Sequence, residues 1–119
     1  MVTTTPPSFH CSTLSFLDLS VNAVGDEGCD AIAEVIKRGC TILSSLELCS
    51  NIIGSLGCIK LSEAIGKNQI MNSLDLHNND VGVEGRKALV EALRVNRFLT
   101  NVTVPGSDEE IANLLNSNV

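Results

Sequence analysis

The chain has 119 residues, 8 Lys+Arg against 14 Asp+Glu, a net charge of −6 and a pI of about 4.7. With 44% hydrophobic and 18% charged residues, it is long and apolar enough for one domain with a buried core, which excludes a wholly disordered chain. The acidic balance repels nucleic acid and anionic lipid, three Phe without Trp or Tyr give no base-stacking platform, and no apolar run has the length of a membrane span.

Residues 1–10, with Thr3-Thr4-Thr5-Pro6-Pro7, are too polar and Pro-rich for a regular element and are expected to form a loose tail. No basic region followed by an apolar one marks a secretory leader. The Cys count is odd, with Cys11, Cys29, Cys40, Cys49 and Cys58, and no Cys-x-x-Cys pair occurs. The expectation is a reduced, intracellular, cytoplasmic protein whose thiols are small apolar fillers, with no zinc or other metal site and no cofactor. Neighbouring helices pack about 8–10 Å apart. That is awkward for a Cys29–Cys58 disulfide, which wants Cα atoms about 4.4–6.8 Å apart.

From Leu14 onward the chain repeats itself. The phrase Leu14-Ser-Phe-Leu17-Asp-Leu19-Ser-Val-Asn22 returns as Leu43-Ser-Ser-Leu46-Glu-Leu48-Cys-Ser-Asn51 and as Met71-Asn-Ser-Leu74-Asp-Leu76-His-Asn-Asn79. A weaker fourth copy is Leu99-Thr-Asn-Val102-Thr-Val104-Pro-Gly-Ser107, and the steps between copies are 29, 28 and 28 residues. After each Asn comes Val24-Gly25, Ile53-Gly54 or Val81-Gly82, and a second Gly falls at Gly28, Gly57 and Gly85. Period-two leucines predict strands near 16–20, 45–49, 73–77 and 101–104. Apolar residues then recur at helical spacing: Ile32, Leu61 and Leu89; Val35, Ala64 and Ala92; Ile36, Ile65 and Leu93. They predict helices near 26–38, 55–67, 83–95 and 108–116. The last is opened by the capping-box pattern Ser107-x-x-Glu110.

One such unit cannot bury its own apolar face, so copies must stack. The expected core is Leu17, Leu19, Val24, Ile32, Ile36, Leu46, Leu48, Ile53, Leu61, Ile65, Leu74, Leu76, Val81, Leu89, Leu93 and Val102. The Asn side chains can bond backbone where the chain leaves each strand, forming a ladder along the stack. The first strand has no clear capping unit before it, which leaves a sheet edge open to self-association.

The pattern Leu-x-x-Leu-x-Leu-x-x-Asn-x-Ile/Val-Gly-x-x-Gly resembles leucine-rich repeats of the ribonuclease-inhibitor type. The resemblance implies an α/β fold over residues 11–119, a curved solenoid with a parallel sheet on the concave face and helices on the convex face, and repeats starting at 14, 43, 71 and 99. It implies a non-enzymatic module that binds a protein partner. The alternatives are a regulator of the Ran GTPase-activating kind and a structural segment of a larger receptor or scaffold. No basic residue lies on the strand or Asn-loop side of the first repeat to take the role such a side chain has in Ran activators.

Outward strand positions should stack into columns: Phe16, Ser45, Ser73 and Asn101; Asp18, Glu47, Asp75 and Thr103; Ser20, Cys49, His77 and Pro105. All eight basic residues fall outside residues 14–22, 43–51, 71–79 and 99–107. The concave face is therefore expected to be acidic, with Phe16, Asp18, Ser20, Glu47, Cys49, Asp75 and His77 as candidate contacts for a partner with a basic surface. The sequon Asn101-Val102-Thr103 is expected to be unmodified.

Overall fold

The computed structural model describes residues 14–38, 42–106 and 109–117. Each repeat forms one three-residue strand and one helix. Chain order is β1 (Phe16–Asp18), α1 (Gly25–Lys37), β2 (Ser45–Glu47), α2 (Ser55–Lys67), β3 (Ser73–Asp75), α3 (Gly82–Val95), β4 (Asn101–Thr103) and α4 (Glu109–Ser117). The strands form one parallel sheet in sequence order. Its register aligns Leu17, Leu46, Leu74 and Val102, with Phe16, Ser45, Ser73 and Asn101 on one flank and Asp18, Glu47, Asp75 and Thr103 on the other.

The repeat phase dictates this register. Leu46 and Leu74 of the strands, with Leu48 and Leu76 just past them, enter a core closed by Leu61 and Ile65 of α2 and Leu89 and Leu93 of α3, all at most 2% exposed. Met71 and Leu99, the opening residues of the third and fourth copies, are also fully buried. Glycine at 57 permits the close approach of adjacent helix starts. A Cβ there would lie 2.6 Å from Asp26 Oδ1 and 3.2 Å from Asp26 Cα.

The first three strands end two residues earlier than the leucine pattern predicts, and the fourth one residue earlier. Backbone bonds between repeats run on past the strand ends: Leu19 N–H donates to the Glu47 carbonyl and Val21 N–H to that of Cys49, and Leu48 N–H donates to the Asp75 carbonyl and Ser50 N–H to that of His77. The N–H groups of Ser20 and His77 donate to the carboxylates of Asp18 and Asp75 two residues back, and the chain turns. Ser20, Cys49, His77 and Pro105 therefore stand on the turns, not on a third strand column.

Five expected core residues, Leu17, Leu19, Val24, Ile32 and Val102, are only partly buried. The first four belong to the first repeat, which has a neighbouring layer on one side among the described residues, and Val102 lies in the last strand. Val35 shares a helix position with Ala64 and Ala92, yet it is 51% exposed. Ala64 borders the groove beside Ile36 and Lys37 of the preceding helix; no described helix precedes α1. The expected tail, the Ser107 cap, Cys11 and Cys40 lie outside the described residues.

Candidate functional site

The strand face and its turns bring the candidate residues together. Asp18, Glu47 and Asp75 are consecutive partners in the register, and adjacent parallel strands lie about 4.8 Å apart, so the three carboxyls form a ladder. Phe16 is 53% exposed at the first strand of the neighbouring column. Ser20 and Cys49 are half-buried on the turns, and His77 is exposed beside Asp75.

The three acids are not equivalent. Asp18 Oδ1 accepts the Ser20 N–H at 2.9 Å, and Asp75 Oδ1 accepts the His77 N–H at 2.8 Å. These short side chains brace the turn that follows them. Glu47 has one more methylene and makes no such bond to a turn N–H among the described residues. The Ser20 N–H and hydroxyl hold the Asp18 carboxyl below its ordinary value, helped by a bond to Glu47. Loss of hydration on the sheet pushes Glu47 up, and the charges of Asp18 and Asp75 on either side add to that. The middle rung thus takes up a proton more readily than Asp18 beside it.

Behind the carboxyls runs the expected Asn ladder. Asn51 Oδ1 accepts the N–H groups of Asn22 and Val24, and Asn79 Oδ1 accepts those of Asn51 and Ile53. Asn51 Nδ2 donates to the Leu19 and Cys49 carbonyls, and Asn79 Nδ2 to those of Leu48, Leu76 and His77. The ladder fixes the turns that carry Ser20, Cys49 and His77. The residue just before each ladder Asn, namely Val21, Ser50 and Asn78, adopts φ 59°. Asn visits this left-handed region readily, and a β-branched Val does so only under strain. Ile52 takes φ 58° as well. In the other two repeats Gly25 and Gly82 supply the positive φ, whereas Gly54 is extended at φ −101°.

Sequence reasoning missed two features. Asp26 Oδ1, at the start of α1, accepts the N–H groups of Gly54 and Gly57 at 2.8 and 2.9 Å and so caps α2 from the neighbouring repeat. A second Asn ladder occupies the helix-to-strand connections. Asn68 Oδ1 accepts the Ile70 and Met71 N–H groups, Asn96 Oδ1 those of Phe98 and Leu99, and Asn96 Nδ2 donates to the Ile65 and Asn68 carbonyls. Its signal was the recurrence of Asn three residues before each of the last two copies.

Cys29 and Cys58 are fully buried free thiols, as expected of fillers. Burial pushes them up to about 12 and about 11 respectively, with the Asp26 charge adding to the shift at Cys29. No group of His, Cys, Asp and Glu able to hold a metal ion occurs among the described residues. No described helix is long and apolar enough to cross a membrane.

Stacked strand–helix units in parallel register define an α/β leucine-rich-repeat solenoid, and comparison with known proteins agrees. The family model described as Leucine Rich repeat matches residues 10–33 and 67–90, the first and third copies. Among solved structures the chain is similar to one described as leiomodin-1 actin-binding site 2, with a TM-score of 0.82 and 23% identity; the match covers 93% of this chain and 66% of that one. No curated protein sequence matches the chain significantly.

Proposed function

We propose that the chain is a non-enzymatic protein-recognition module of the ribonuclease-inhibitor type whose concave strand face receives a basic surface of its partner. The observation that carries this reading is the register-aligned column Asp18, Glu47 and Asp75, set on a face whose sequence windows hold no Lys or Arg. Phe16 offers an exposed apolar anchor one column away, and Ser20, Cys49 and His77 form the rim. Opposite charge raises the on-rate and sets orientation more than it raises affinity.

The test is the triple variant Asp18→Asn, Glu47→Gln, Asp75→Asn. Asn at 18 and 75 keeps an oxygen for the Ser20 and His77 N–H groups, so the turns persist. Partners are captured from cell lysate and identified by mass spectrometry. Actin is included as a purified candidate because the similar solved structure is described as an actin-binding site. The variant should bind the partner more slowly and with a shallower salt dependence, since screening acts over about 8 Å at physiological ionic strength. Unchanged binding and unchanged salt dependence would rule the column out. Self-association through β1, which pairs with β2 alone among the described residues, is checked by sedimentation of the same samples.

A further inference from the structure

Charge is segregated along the solenoid in a way the concave face does not use. The connections that return from helix to strand lie on the edge opposite the Asn22, Asn51 and Asn79 turns. Residues 37–44, 66–72 and 94–100 contain no Asp or Glu, yet they hold Lys37, Arg38, Lys67, Arg94 and Arg97, five of the eight basic residues. Arg94 is paired with Glu91 and Glu110. Lys37, Arg38, Lys67 and Arg97 have no ion-pair partner among the described residues.

The same edge displays an apolar row. Ile42, Ile70 and Phe98 each stand one residue before a buried opening residue, Leu43, Met71 or Leu99, and are 52%, 44% and 48% exposed. Register bonds bring the row together: Asn72 N–H donates to the Ser44 carbonyl and Thr100 N–H to the Asn72 carbonyl. Two of the three are fixed from behind: Asn68 Oδ1 accepts the Ile70 N–H at 2.7 Å, and Oδ1 of the 2%-exposed Asn96 accepts the Phe98 N–H at 2.7 Å. A groove of about 490 Å³ opens here, lined by Ile36, Lys37, Ala64, Lys67, Asn68 and Ile70 among others. Two ammonium groups with no ion-pair partner among the described residues thus border an apolar floor.

We infer that this helix-to-strand edge is a second docking surface, independent of the concave column, and that its occupant is an acidic protein segment carrying large apolar side chains. The cations fix the sign of the partner's charge. The apolar row and the groove require side chains to bury, at roughly 25 cal/mol per Å² of apolar surface. The bonded backbone at Ile70 and Phe98 removes part of the ordering cost of binding. An anionic bilayer matches the charge of the edge, but it offers no projecting side chain to enter a groove, and the net charge of −6 repels it at longer range.

The probe is a synthetic 12-residue peptide alternating Glu with Leu and Phe, compared with the same peptide bearing Ser at every apolar position. Both are titrated into the ¹⁵N-labelled full chain. Phosphatidylserine vesicles form a separate arm. The expected result is amide shifts confined to residues near 42, 70 and 98, with binding about tenfold weaker or worse for the Ser peptide. Two variants probe the edge: Lys37→Gln with Lys67→Gln and Arg97→Gln, and Ile70→Ser with Phe98→Ser. All five side chains are exposed, and circular dichroism verifies the fold. Each variant should lose about tenfold in affinity. Absence of peptide binding, binding by both variants as tight as by the parent chain, or binding to vesicles without binding to the peptide overturns the inference. The concave triple variant should bind the peptide as the parent chain does, so failure here is separable from failure of the concave reading.

Discussion

The carboxylate of Asp26 belongs to α1 but closes the N-terminus of α2, taking the Gly54 and Gly57 N–H groups on one oxygen. α2 has no capping side chain of its own and no acid in its first turn. The neighbouring repeat supplies both the acceptor and the negative charge that the first turn of a helix favours. Asp26→Ala should therefore destabilise by about 1–2 kcal/mol, the scale of a lost N-cap. Asp26→Asn, which keeps the acceptor, should recover part of it. Urea titration of the three proteins decides; an Ala variant within about 0.3 kcal/mol of the parent contradicts the role.

The buried Asn79 is a stricter case. It satisfies two backbone donors and three carbonyls, and water has little access to it. Asn79→Ala should destabilise by about 3–5 kcal/mol, because several buried groups lose their partners at about 1–3 kcal/mol each. Asn79→Asp retains the acceptor for Asn51 and Ile53 and should fall between. A loss below about 1 kcal/mol in chemical denaturation would show that the ladder is redundant.

Leu61 lies fully buried in α2, between the sheet and the neighbouring helices. Leu61→Ala should cost about 2–5 kcal/mol through lost burial and the cavity left behind. The midpoint of urea unfolding should fall without a change in slope. A loss under about 0.5 kcal/mol would exclude Leu61 from the cooperative core.

Opposite shifts in the acid column make stability depend on pH in two directions. Asp18 lies below its ordinary value of 3.8, so the stability it contributes is complete above 3.8 and is lost as pH falls through its lower folded value. Glu47 lies above its ordinary value of 4.5. The folded state therefore holds a proton that the unfolded chain has released, and stability declines as pH rises from 4.5 through the higher folded value. Glu47→Gln should raise the melting temperature at pH 7 and leave it nearly unchanged at pH 4. The same gain at both pH values would show that the effect is not ionic.

The raised thiols of Cys29 and Cys58 make them poor nucleophiles at neutral pH, since the thiolate is the reactive form. Iodoacetamide applied to the native chain at pH 7.5 should label neither, while half-buried Cys49 reacts. Peptide mapping after native and denatured labelling reads this directly. Native modification of Cys58 would mean that the contact between α2 and α3 opens.

The repeat period made most of the fold legible. Leu46, Leu48, Leu74 and Leu76 share both phase and chemistry, and stacking them in phase fixes parallel strands, register and the acid column together. Legibility failed where one copy breaks step with the others. Ser55 and Val83 stand where the first repeat has Asp26, so no recurring signal marks the cap. Leu17 and Leu19 carry the same letters as their buried counterparts, but burial depends on a neighbour rather than on the residue itself. Val35 is apolar for the same periodic reason, and it faces outward because no described helix lies before it.

Three rungs of the two ladders, Asn51, Asn79 and Asn96, reach backward by one repeat. Asn51 serves Asn22 and Val24, Asn79 serves Asn51 and Ile53, and Asn96 serves Ile65. When the preceding repeat opens, the amide of Asn79 still holds the Leu76 and His77 carbonyls of its own turn. When the following repeat opens, the donors of the repeat before it lose their acceptor outright. The coupling is between nearest neighbours and has a polarity. A chain shortened from its C-terminal end should therefore unravel the turn behind the cut, whereas one shortened from its N-terminal end leaves the next turn closed upon itself.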